Sequence, residues 1–114
     1  MSDLNQNIEK LAGYLKRFQD GGVLNQIGGK AVPAKSGATF ETRSPVDDSL
    51  ICQVAKGGAD DIDAAAKAAK DAFPAWRDMP ATERKKILHK IADRIVERAE
   101  EIAFCECWDT GQAL

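Results

Sequence analysis

Two glycine pairs constrain this chain more than any other feature. Gly21-Gly22 and Gly57-Gly58 separate stretches with helical periodicity from a middle stretch that reads as short strands. Glycine pairs weaken a helix strongly enough to end it. The chain must therefore run helix, strands, helices. With 114 residues it has room for one small α+β domain at most.

The first stretch has Leu4, Ile8, Leu11, Leu15 and Phe18 on one face, the spacing of an amphipathic helix. Such a helix docks on its own subunit or on a neighbour. A helix lying on a membrane surface is the competing reading. Lys10, Lys16 and Arg17 make a thin basic face for that role, and Asp3, Glu9 and Asp20 oppose them.

Between the glycine pairs, "QIGGKAV" puts Gly28-Gly29 between two extended arms, a two-residue hairpin signal. Thr39 to Thr42 alternate in polarity and include β-branched and aromatic residues. Pro45 stops pairing, and "PVDDS" is turn chemistry. "LICQVA" suits a half-buried strand, with Cys52 as a small buried hydrophobe.

After Gly58, Asp60 is the expected N-cap, and Asp61 and Asp63 lie in the first turn, at the positive end of the helix dipole. Ile62, Ala66, Ala69 and Phe73 form the expected inner stripe, and Pro74 is expected to end the helix near Phe73. A second helical stretch starts around Pro80 and keeps its period through Leu88, Ile91, Ile95 and Ile102. A bend or break is expected near Glu97–Glu100, and Gly111 closes the stretch.

Charge and composition exclude several functions. There are 16 basic and 18 acidic residues, so no electrostatic footprint for nucleic acid is present. No apolar run reaches membrane-spanning length. The opening "MSDLNQNIEK" lacks a basic region followed by an apolar one, so no secretory signal is expected. Three cysteines with no framework spacing suggest reduced thiols and a cytoplasmic setting.

The reactive-looking residues form no constellation. Cys105 and Cys107 are two apart on a helix, so their side chains diverge by roughly 200° and cannot share an ion. Neither has a base beside it in the pattern of a nucleophilic site. Both are expected to be helix-packing residues. His89 lies in a basic, solvated stretch, Arg84–Lys86 read as a solvated face, and Trp76 and Trp108 read as core or interface aromatics. No phosphate-binding glycine pattern follows a strand.

The blocks taken together carry more. "IGGKAVPAKSGATFETRSPVDDSLICQVA", "DIDAAAKAAKDAFPAWRDMPATERKKILHKIADRIVERAEEIA" and "DTGQAL", in this order, resemble the N-terminal region of the NAD(P)-dependent aldehyde dehydrogenases. The resemblance runs from Ile27 to Leu114. Its most specific pieces are S-G-x-T-F, the Ala72-Phe73/Trp76 block, Glu83-Arg84/Leu88 and Asp109-Thr110-Gly111. The ending and general character are similar to the 5-carboxymethyl-2-hydroxymuconate semialdehyde dehydrogenases of aromatic catabolism. The chain departs from the family pattern at Ser44, where Asn is usual, at Asp48, where Gly is usual, and at Ala31, where a large aromatic is common.

The resemblance implies an α+β part of a larger α/β fold, the start of the dehydrogenase-like domain in 25–114, preceded by the amphipathic helix that the periodicity places in residues 1–24. The family oxidises aldehydes to carboxylates through a cysteine thiohemiacetal, hydride transfer to NAD or NADP, and hydrolysis of a thioester. Its nucleophile, general base, oxyanion asparagine and nucleotide-binding glycines lie C-terminal to the matched region. No catalytic or cofactor-binding residue is therefore carried onto this chain, which is expected to be inactive alone. The expected partners are the remainder of the fold and further subunits of a homo-oligomer. A stand-alone module binding a dehydrogenase-like or other protein is the alternative. Many members also hold a monovalent cation, and the motif places its ligands at Thr42, the main chain of Arg43, and Asp109.

Overall fold

A computed structural model describes residues 4–114. Asp3, one of the acids set against the basic face of the first helix, lies outside the described residues. The elements are α1 (Leu4–Gly21), β1 (Asn25–Ile27), β2 (Lys30–Val32), β3 (Thr39–Arg43), β4 (Leu50–Ala55), α2 (Ala59–Asp78), α3 (Ala81–Glu97) and α4 (Ala99–Thr110). The expected order of helix, short strands and further helices is what the chain adopts. It divides into two compact units.

The first unit contains α1, the β3–β4 pair and α4. Its core is Leu15, Ile51 and Cys52, with Leu11, Phe18, Val54, Cys105 and Trp108 packed against it. The expected α1 stripe is thus used, but only in its second half. Leu4 and Ile8 are exposed. Gly22 ends α1 in the left-handed region (φ 68°), and its N–H donates to the Phe18 carbonyl at 2.7 Å. A Cβ there would meet the Gln53 carbonyl oxygen at 2.7 Å, so only glycine lets the chain turn this closely onto β4. Val23 then donates to that same Gln53 carbonyl at 2.9 Å.

The second unit contains the β1–β2 hairpin, α2 and α3. Gly28 and Gly29 have φ of 60° and 77° and join strands in the register Asn25↔Val32, Gln26↔Ala31, Ile27↔Lys30. Positive φ at both central residues is what a tight hairpin of this twist requires. The turn lies over α2, close to the Ala68 methyl.

Four expectations for the helices need correcting. The N-cap of α2 is Gly58, not Asp60. Asp61, at the third helical position, reaches back to accept the Gly58 N–H at 2.9 Å, and its other oxygen accepts the Lys35 N–H at 3.0 Å. Asp60 instead pairs with Lys35 Nζ at 2.9 Å. Gly58 has no side chain to cap the first helical N–H groups; Asp61 supplies the other half of a capping box by accepting the Gly58 N–H.

Pro74 does not end α2, which continues to Asp78. Proline forfeits one backbone bond to the preceding turn, and the helix absorbs that loss near its end. Met79 stops it. As the residue before Pro80, it is driven out of the helical region and sits at ψ 136°. Arg84 is also not a freely solvated residue. It is half-buried, and its guanidinium donates to the Met79 carbonyl at 2.7 Å and the Arg77 carbonyl at 3.2 Å.

The expected inner stripe of α2 faces outward: Ile62 is 66% exposed and Phe73 54%. The residues turned inward within this unit are Asp61, Ala65 and Ala68. Leu88, Ile91 and Ile95 of α3 are likewise exposed. Helical period reports which residues share a face; it does not report whether the described residues cover that face. The break expected near Glu97–Glu100 falls between α3 and α4, at Arg98.

Candidate functional site: the junction of the Ser44 turn with the end of α4

The end of β3 and the turn after it meet the end of α4, all within the first unit. Ser44 is 1% exposed, and its hydroxyl donates to the Trp108 carbonyl at 2.6 Å while accepting the Val46 N–H at 3.2 Å. The last carbonyls of a helix have no partner within it. Ser44 therefore satisfies one of those of α4 from outside. Thr110 Oγ1 donates to the Glu106 carbonyl at 2.7 Å, and the Gly111 N–H donates to the Cys107 carbonyl at 2.9 Å. Gly111 is the left-handed cap (φ 77°), and a Cβ on it would press on Pro45 Cγ at 3.3 Å. The Ser-Pro turn and the Asp-Thr-Gly motif are thus two halves of one contact.

The turn itself is tightly bonded. Ser44 N–H donates to the Ser49 carbonyl at 2.9 Å, Asp48 N–H to the Ser44 carbonyl at 2.8 Å, and Ser49 N–H to Asp47 Oδ1 at 2.9 Å. Bonding by Ser49 holds the Asp47 carboxyl below the usual carboxylate range. Asp48 is the sole described non-glycine residue with positive φ, at 60°.

The expected cation ligands divide as follows. Thr42 Oγ1 donates to Asp109 Oδ1 at 3.4 Å, a long bond that brings both side chains to one place. Arg43, next along the strand, carries its side chain to the other face by the alternation of a strand. Its guanidinium is held by Glu41 at 2.8 Å and by the Asp48 carbonyl at 3.0 Å. Its charge is therefore paired within the turn.

Thr42 and Asp109 also border an apolar groove of about 510 Å3 whose walls include Phe40, Cys52, Cys105 and Glu106. Burial pushes both the Cys52 and Cys105 thiols up, with the Asp109 charge adding to the shift at Cys52 and the Glu101 charge at Cys105. Raised thiols are poor nucleophiles at neutral pH, which fits packing residues. His89 is exposed, Cys52 is buried, and Trp108 is half-buried against the core, as expected from the sequence; Trp76 is exposed.

The sequence profile of the aldehyde dehydrogenase family matches residues 31–114. The chain belongs to the aldehyde dehydrogenase family. An aldehyde dehydrogenase of Deinococcus radiodurans is 44% identical over 88 residues, 77% of this chain and 17% of that protein. The benzaldehyde dehydrogenase of Antirrhinum majus is 43% identical over 88 residues, 75% of this chain and 16% of that protein. Among solved structures, HpcC from Thermus thermophilus superposes with a TM-score of 0.88 at 38% identity, over 92% of this chain and 20% of that one. PnpE in complex with nicotinamide adenine dinucleotide superposes with a TM-score of 0.77 at 46% identity, over 79% of this chain and 18% of that one. The chain thus spans about a sixth to a fifth of the length of these aldehyde dehydrogenases.

The described residues do not fit a dinucleotide. Such a cofactor wants free N–H groups at a helix N-terminus after a glycine turn. The one described turn of that kind, Lys56-Gly57-Gly58 into α2, is occupied by the Asp61 carboxylate on the Gly58 N–H, with Asp60 beside it. Two carboxylates there repel a pyrophosphate. No helix of the described residues is long and apolar enough to cross a membrane.

Proposed function

We propose that this chain forms the N-terminal part of an NAD(P)-dependent aldehyde dehydrogenase that oxidises an aldehyde to a carboxylate. The junction of Ser44-Pro45 with Asp109-Thr110-Gly111 carries this reading, because it gives two separated family motifs a common physical role. The relatives reported above support the dehydrogenase over a stand-alone binding module. The dinucleotide in the PnpE structure favours NAD. The sequence similarity noted above favours a semialdehyde of aromatic catabolism as substrate. The chain's own contribution is structural: it supplies faces for the remaining fold and for further subunits of a homo-oligomer. The exposed stripes of α2 and α3 are the faces available for this. Free cysteines and the absence of a described membrane-spanning helix are compatible with a cytoplasmic enzyme.

The experiment is an assay of the polypeptide that continues this chain through the family's catalytic region. Hydroxymuconate-type semialdehydes, benzaldehyde and simple aliphatic aldehydes are supplied with NAD or NADP. Reduced cofactor is expected with the longer protein and not with the 114-residue chain. Turnover by the purified short chain, or a folded longer protein inert to all three aldehyde classes, overturns the reading.

We also propose a monovalent cation at Thr42, the Arg43 main chain and Asp109. A hard alkali ion takes oxygen ligands, and a carboxylate beside the negative end of α4 suits a single positive charge. The Thr42–Asp109 approach and the pairing of the Arg43 side chain elsewhere support it. In the longer protein, Asp109→Asn should remove any difference between sodium, potassium and a bulky organic cation in the melting temperature. An unchanged ion-specific difference would refute the site.

A further inference from the structure

The N-terminal helix α1 has two stripes, offset by one residue. Leu11, Leu15 and Phe18 lie at i, i+4 and i+7 and pack on the core with Ile51, Cys52 and Cys105. Lys10, Tyr14 and Arg17 lie at the same spacing, one residue earlier. That second stripe meets the first turn of α4. Lys10 Nζ pairs with Glu100 Oε1 at 2.6 Å, the Tyr14 hydroxyl donates to Glu100 Oε2, and Arg17 pairs with Glu101 Oε1 at 2.8 Å. Glu101 is also held by Arg98 at 2.8 Å, and its side chain is only 16% exposed. The Tyr14 ring lies against Phe104, with centroids 5.7 Å apart.

We propose that α1 is an ionic latch that covers the Cys52 and Cys105 thiols and opens without unfolding the rest of the chain. Its two ends are unequal. At Gly22-Val23 it is anchored through main-chain contact with Gln53, where no side chain can be accommodated. Over its first half, Leu4 and Ile8 are exposed, so little apolar burial holds it there. The bonds of Lys10, Tyr14 and Arg17 to the two glutamates then add to the burial of Leu11, Leu15 and Phe18 in holding it. The Lys10–Glu100 pair, half in water, is weakened by salt, the less exposed Arg17–Glu101 pair is weakened less, and the Gly22-Val23 anchor is not. Release would pivot α1 about Gly22 and uncover the thiols that Leu11, Leu15 and Phe18 pack against.

The test is alkylation of the full chain with N-ethylmaleimide at fixed pH, each cysteine being read separately by peptide mass spectrometry. Wild type is compared with E100Q/E101Q and with E97Q, which removes a charge of the same sign from the exposed Arg94–Glu97 pair. Cys52 should react about fivefold faster in E100Q/E101Q than in wild type, with E97Q unchanged, as expected when local opening is made easier. Salt raised from about 0.05 M to about 1 M should speed wild type and reduce the difference between it and the double variant. Amide exchange in the β3–β4 pair, which shares a unit with α1, should stay the same throughout. Equal Cys52 rates in all three proteins would overturn the latch, as would Cys52 exposure that always accompanies loss of β3–β4 protection. Should the double variant not fold, the wild-type salt series decides alone: Cys52 labelling that is flat with salt overturns it.

Discussion

The Ser44 hydroxyl and the Trp108 carbonyl, 64 residues apart in sequence, form a 2.6 Å hydrogen bond in a part-buried setting. It closes the end of α4 with a residue of the β3–β4 turn. Ser44→Ala would leave a helix carbonyl without its partner. The expected cost is about 1–3 kcal/mol, the usual penalty for stranding a buried acceptor. Urea unfolding followed by tryptophan fluorescence would measure it. A change smaller than about 0.5 kcal/mol would show that water replaces the hydroxyl.

Asp48 holds a left-handed conformation at the position where the family usually has glycine. Relieving its Cβ should stabilise the chain, so Asp48→Gly is expected to gain about 0.5–1 kcal/mol. The Arg43 bond to residue 48 uses the main-chain carbonyl and should survive. A lower melting temperature for D48G would mean that the aspartate side chain contributes more than its strain costs.

Arg84 supplies a donor to two carbonyls at the end of α2. Lysine has the charge but not the planar guanidinium that reaches both. Both Arg84→Lys and Arg84→Ala should loosen the last turn of α2, with a loss of about 1 kcal/mol. Faster amide exchange confined to residues near Trp76–Met79 is the expected signature. Exchange unchanged in that turn would remove the capping role.

The α1–α4 clasp should fail at both ends of the pH scale. Hydrogen bonds from Lys10 and Tyr14 lower the Glu100 carboxyl, so its contribution is present above the ordinary carboxylate range and is lost as pH falls through the lowered value. The bond to Glu100 raises the Tyr14 phenol above its ordinary value near 10. Its contribution is therefore complete below the unfolded value and disappears as pH rises through the raised one. Tyr14 is the only tyrosine, so its alkaline absorbance titration reports it alone. Glu100→Gln should return that titration toward the ordinary value, and an unmoved midpoint would contradict the contact.

The 114-residue chain should self-associate when isolated. Ile62 and Phe73 on α2 and Leu88, Ile91 and Ile95 on α3 expose large apolar side chains in rows. Light scattering after size exclusion should show a concentration-dependent mass. Phe73→Gln with Ile91→Gln should shift it toward monomer. A clean wild-type monomer at all concentrations would mean that these rows do not attract one another.

Local chemistry sufficed for the hairpin at Gly28-Gly29, the end of α1 at Gly21-Gly22 and the left-handed cap at Gly111. Each is a backbone conformation that few residues adopt, so the residue type announces it. The phase of the α1 stripe was also legible, because the period of a helix belongs to the helix itself. Tertiary structure decided the rest. Pro74 sits inside α2, and the helix ends only at Met79, which Pro80 keeps out of the helical region. Asp61 rather than Asp60 serves the N-terminus of α2 because its second oxygen finds the Lys35 N–H, from a segment 26 residues earlier. The outward stripe of α2 and the meeting of Thr42 with Asp109 are of the same kind. Sequence spacing orders residues along one element, but burial and convergence depend on which other elements arrive there.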